Sequence, residues 1–142
     1  MKIKFFFTLL ISYFFYTSAI ISEEKIFIEL TIDNEIVTNV DINKEKDYLI
    51  ALNNNLKNLK KEQIYKISKD SLLREKIKKI ELLKYFDLNT SGKIADNIFK
   101  SLVKNLNFKS EKEFEIYLKS YNLNIEDVKK KLLIEATWNQ LI

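Results

Sequence analysis
Residues 110–142, SEKEFEIYLKSYNLNIEDVKKKLLIEATWNQLI, hold two helix starts and one helix stop, and their spacing decides the fold class. Ser110 and Glu113 form the pattern S-x-x-E, in which the hydroxyl accepts the third amide proton of the helix and the carboxylate reaches back to the Ser amide. Phe114, Tyr117, Leu118 and Tyr121 follow at i, i+3, i+4 and i+7, one apolar face of a helix. Asn122 suits a helix end because its short amide tolerates the left-handed conformation, and Asn124 with Asp127 restarts a helix. That last helix has Ile125, Val128, Leu132 and Ala136 on one side. Ile134, Trp138 and Leu141 lie about 180° around it. A surface helix needs one apolar stripe and this one has two, so the second stripe is expected to be an uncovered face for a peptide or partner.

Upstream, the chain reads as more of the same architecture. Ile26, Ile28, Leu30 and Ile32 alternate with Phe27, Glu29 and Thr31, a strand pattern, and Asp33-Asn34-Glu35 supplies turn chemistry before the short second strand Ile36-Val37. Thr38 with Asp41 caps a first helix carrying Ile42, Leu49, Leu52, Leu56 and Leu59 on one face. The run of Asn53, Asn54, Asn55 and Asn58 weakens it into a polar loop through about Glu62. A second helix is expected from Ser68 or Asp70 to Phe86, burying Leu72, Leu73, Ile77, Ile80 and Leu83. A third is expected from about Ser91 to Asn105, presenting Ala95, Ile98, Phe99, Leu102 and Leu106. Leu102 and Leu132 are expected in the core. The expected fold is mainly α, a small N-terminal β-hairpin followed by about five helices.

The first residues have a different character. Lys2 and Lys4 precede an apolar run from Phe5 to Tyr16, interrupted only by Thr8 and Ser12, and small residues follow at Thr17, Ser18 and Ala19. This is the three-part form of a secretory signal peptide, with cleavage after Ala19 and Ser22 as the alternative. The domain organisation is then a signal peptide over residues 1–19 and one domain over 20–142. The apolar stretch is shorter than the roughly 20 residues of a membrane span, which favours removal over retention as an inner-membrane anchor.

Composition excludes several classes of chemistry. The chain of 142 residues has no His and no Cys, which removes Ser-His-Asp hydrolysis, thiol chemistry and the usual zinc sites. Its one glycine, Gly92, cannot make a phosphate loop. Glu23-Glu24 and Glu126-Asp127 are carboxylate pairs at a terminus and a helix start, where capping accounts for them. No catalytic, cofactor or metal site is read from the sequence. Without Lys2 and Lys4 the balance is 22 basic against 20 acidic residues with signs interspersed, which is a solvated helical surface and not a nucleic-acid stripe.

The order of these parts resembles the N-terminal domain of SurA-type periplasmic chaperones, a family that also carries parvulin-type peptidyl-prolyl isomerase domains. Residues 32–42, IDNEIVTNVDI, are similar to the family's opening hairpin and first helix. Residues 73–89, LREKIKKIELLKYFDLN, are similar to its second helix, and residues 110–142 to its short helix, turn and long helix ending W-x-x-L-I. Glu35, Asp87 and Asn122 stand where the family has glycine. The resemblance implies a SurA-like or trigger-factor-like peptide-binding helical fold in the periplasm, taking unfolded outer-membrane protein segments and assisting their assembly. Its full-length members are peptidyl-prolyl cis-trans isomerases, but no residues here match the parvulin domain, so isomerase activity is not carried over.

The candidate site is therefore the face of Ile134, Trp138 and Leu141, covered in the family by a C-terminal helix or neighbouring domain and here open to a client peptide or a second copy of the chain. The alternatives are the N-terminal part of a longer prolyl isomerase, and an inner-membrane-anchored interaction protein. The export reading has a direct test: mass spectrometry of exported protein is expected to show a chain starting near Ile20, and an intact N-terminus held in the membrane would overturn it.

Overall fold
The structure is a computed structural model that describes residues 25–88 and 92–142. The expected signal peptide, both of its cleavage points and Glu23-Glu24 lie outside the described residues. Two strands, β1 (Ile28–Ile32) and β2 (Glu35–Thr38), form an antiparallel hairpin. Five α-helices follow among the described residues: α1 (Asn39–Leu52), α2 (Lys61–Leu82), α3 (Gly92–Asn105), α4 (Glu111–Lys119) and α5 (Ile125–Leu141). A short 3-10 helix, Asn54–Asn58, links α1 to α2. The protein is mainly helical with a small N-terminal hairpin, as its sequence pattern leads one to expect.

The hairpin turn is tighter than expected. Asp33 and Asn34 alone make it, Asp33 at φ 53°, and Glu35 belongs to β2 opposite Ile32. A register shift at Glu29 breaks the alternation of β1, and such a bulge re-aims a side chain. Glu29 receives hydrogen bonds from Tyr65 and from Lys69 at 2.5 Å, both on α2. The Lys69 bond, then the Tyr65 bond, hold the Glu29 carboxyl below its ordinary pKa, and partial burial with the Glu29 bond pushes the Tyr65 hydroxyl up to about 12. At the other end of the hairpin Glu35 bonds Lys76 and Lys79 of α2. Asn39, buried, closes the joint to α1: its Oδ1 accepts from Phe27 N at 2.9 Å and its Nδ2 donates to Lys25 O at 3.1 Å. Val37, Ile42 and Leu72 form the small core beneath.

The helix boundaries follow from caps. Thr38 accepts from Asp41 N while Asp41 accepts from Thr38 N, the reciprocal pair that starts α1. α2 begins at Lys61, well before the expected Ser68, because Gln63 Oε1 accepts from Lys60 N at 3.1 Å. Lys60 has no capping oxygen, so the sequence pattern hides this start. α2 also stops at Leu82, short of Phe86, and its buried residues are Ile64, Ser68, Leu72 and Leu82. Ile77 and Leu83, expected inside, are exposed. Leu56 and Leu59 lie in and after the 3-10 helix instead of on α1.

Two helices end alike. Phe108 N bonds Val103 O and Asn107 N bonds Lys104 O; Leu123 N bonds Leu118 O and Asn122 N bonds Lys119 O. With Asn107 at φ 61° and Asn122 at φ 56°, these are paired Schellman ends, and each brings an apolar residue back onto the helix it closes. Ser110 and Asn124 then cap α4 and α5, accepting from Glu113 N and Asp127 N. The larger core is Phe99, Val103, Phe114, Leu118, Leu123 and Val128 with Ala51 of α1. Phe108, Phe114, Tyr117 and Tyr121 stack in succession at 4.8–6.1 Å between ring centroids. Leu102 and Leu132 are half-buried at the edge of this cluster, so the expected core positions fall to their neighbours Val103 and Leu133.

α5 has two apolar sides because it packs between α3 and α2. One charged group joins it to two other helices. Glu45 of α1, 3% exposed, accepts from Ser71 Oγ of α2 at 2.7 Å and from Lys131 Nζ of α5 at 2.6 Å. Lys131 also pairs with Glu75 of α2 and lies 5.0 Å from the Tyr48 ring centroid. Burial, then the charges of Glu45 and Glu135, push the Tyr48 hydroxyl well above its ordinary pKa. A desolvated carboxylate persists only while paired. Lys131→Met is therefore expected to lower unfolding free energy by about 2–4 kcal/mol in urea titration, and adding Glu45→Gln to recover more than half of that. A loss below about 0.5 kcal/mol, or no recovery, would place the network outside the forces that hold α5.

Candidate functional site
The site grows out of the place where α2 ends and α5 continues. Beyond the Lys131 network, α5 is tied by exposed ion pairs: Lys129 to Asp96 of α3 at 2.6 Å, Lys78 of α2 to Glu135 at 2.6 Å, and Lys44 of α1 to Asp127 at 2.6 Å. Asp127 also caps with Asn124, so the Glu126-Asp127 pair has a structural occupation. Alongside the last turns of α2 lies a cleft of about 350 Å³ lined by Lys79, Leu83, Leu88, Lys130, Leu133 and Ile134. Leu133 and Ile134 are buried and form its floor, while Leu83 is 53% exposed at its edge.

The three residues expected to make one uncovered face occupy three different environments. Ile134 is 5% exposed, so it is not a surface residue; α2 covers it, and it shows only as cleft floor. Trp138, one turn further, is half-buried, with Lys78 Nζ 6.0 Å from its ring centroid. Leu141 is exposed. A stripe on one helix cannot say how many neighbours that helix has, and α2 is the neighbour the sequence pattern did not supply. Leu83, Leu88, Lys79 and Lys130 were missed as site residues. For Leu83 the helical period assigned a core position; its backbone is still helical, with its N–H bonded to Lys79 O at 3.0 Å, but its side chain is 53% exposed.

Leu83 does not stand alone. Tyr85 and Phe86, in the turn after α2, are 66% and 41% exposed. A run of exposed apolar residues beside an apolar-floored cleft is a surface suited to binding another chain. Aromatic residues of α4, by contrast, are absorbed by the core: Tyr117 donates to Ala51 O at 2.9 Å and packs on Phe108.

Six described residues line the cleft. Its lining offers aliphatic carbons and two ammonium groups. Among the described residues no three His, Cys, Asp or Glu side chains are grouped to hold a metal ion, and no helix is long and apolar enough to cross a membrane. Compared with known proteins, the chain matches no protein-family model, no curated protein and no solved structure.

Proposed function
We propose that residues 20–142 are an exported, periplasmic chaperone module that holds unfolded outer-membrane protein segments and assists their folding and assembly. The substrate class and the compartment rest on the resemblance to SurA-type N-terminal domains and on the form of residues 1–19. The observation that carries the reading is the cleft floored by Leu133 and Ile134, with Leu83, Tyr85 and Phe86 exposed near the end of α2. An apolar side chain leaving water for such a floor gains roughly 1.5–3 kcal/mol. Contacts of that size are reversible, and several together slow aggregation without trapping a client. Trp138, on the same side of α5 as Ile134, extends the contact surface with a large rigid ring.

The test is aggregation of a urea-unfolded outer-membrane β-barrel protein, followed by light scattering after dilution. Equimolar protein is expected to suppress scattering. Trp138→Ala is expected to weaken binding of an aromatic-rich peptide by more than about 1 kcal/mol with far-ultraviolet circular dichroism unchanged. Unaltered aggregation, or peptide affinity indifferent to both Trp138→Ala and Leu83→Ser, would contradict the proposal.

A further inference from the structure
The cleft is apolar at its floor and carries two lysines, Lys79 and Lys130, at its rim. Three consecutive lysines on α5 differ in what they meet. Lys129 pairs with Asp96, and Lys131 with Glu45 and Glu75. Lys130, between them, is exposed and has no ion-pair partner among the described residues, and its side chain lines the cleft. Opposite it, Lys79 is 3.1 Å from Glu35, a carboxylate that also pairs with Lys76. Lys76 and Lys79 thus share one carboxylate. Among the described residues no carboxylate lines the cleft itself.

We infer that the occupant of this cleft is an extended peptide segment in which a large apolar side chain is followed directly by acidic residues, the apolar group seated on Leu133 and Ile134 and a carboxylate meeting the Lys130 ammonium. The inference deepens the chaperone proposal and rests on it. The cleft volume of about 350 Å³, at the lower end of ligand-sized pockets, limits the seated group to one or two side chains. The neighbouring charge then decides between segments of equal apolarity. An ammonium beside an apolar wall is less screened than one in open solvent, and rim charges of this kind set which partner is preferred more than how tightly any partner binds.

Two labelled decapeptides test it, identical except that Phe-Leu is followed by Asp-Asp in one and Asn-Asn in the other, titrated against the purified protein by fluorescence anisotropy. The acidic peptide is expected to bind about three- to fivefold tighter in low salt, and the preference to fall away near about 0.5 M NaCl. Lys130→Gln is expected to erase the preference, Lys130→Arg to keep it, and Lys130→Glu to reverse it. Equal affinity for both peptides, or a preference that survives Lys130→Gln, overturns the inference and leaves the holdase proposal standing. Binding of neither peptide overturns the holdase proposal itself, and this inference with it.

Discussion

Lys131 has one ammonium and two carboxylates to satisfy, Glu45 on α1 and Glu75 on α2. Glu45 is almost wholly removed from water, so breaking its pair leaves a charge with Ser71 as its remaining partner in place of solvent. That requirement fixes where along its length α5 meets α1 and α2. With that point fixed, one side of α5 falls against α3 and the other against α2, and both of its apolar stripes find neighbours. The cleft lies beside this junction. The Lys131–Glu75 and Lys78–Glu135 pairs bracket Leu133 and Ile134 against the last turns of α2, where both are buried and form the cleft floor.

The approach of α3, α4 and α5 to one another depends on a second device, and it needs no glycine. Asn107 and Asn122 take the left-handed conformation, and each returns the next residue, Phe108 or Leu123, onto the helix just ended. Short connections with fixed exit directions stack the Phe99, Phe114 and Tyr117 rings into one cluster. In a chain with one glycine and no proline, asparagine carries the turns.

Much of this was legible in the sequence because it is local. The caps at Thr38, Ser110 and Asn124 and the stop at Asn122 each depend on residues within one turn of one another. The start of α2 was hidden because Gln63 caps backward onto a lysine, which has no oxygen to announce it. Ile134 was legible as apolar and on the second stripe, but not as buried, since periodicity reports the faces of a helix and not what stands against them. Leu83 was misplaced for the same reason: it keeps the helical backbone and the bond to Lys79 O, yet its side chain is exposed. The cleft depends on how α2 and α5 pack through pairs such as Lys131 and Glu75, 56 residues apart, and no window of sequence contains both.

The proposed binding at the cleft is a matter of contact area and charge. It would put the functional surface on the junction of α2 and α5, while the α4 aromatics hold the core. Hydrogen exchange measured by mass spectrometry, with and without an unfolded outer-membrane protein segment, tests that placement most directly. The account predicts slowed exchange in residues 79–88 and 126–138, with α4 unchanged. Slowed exchange confined to the hairpin or to α4, with the α2–α5 junction unaffected, would contradict it.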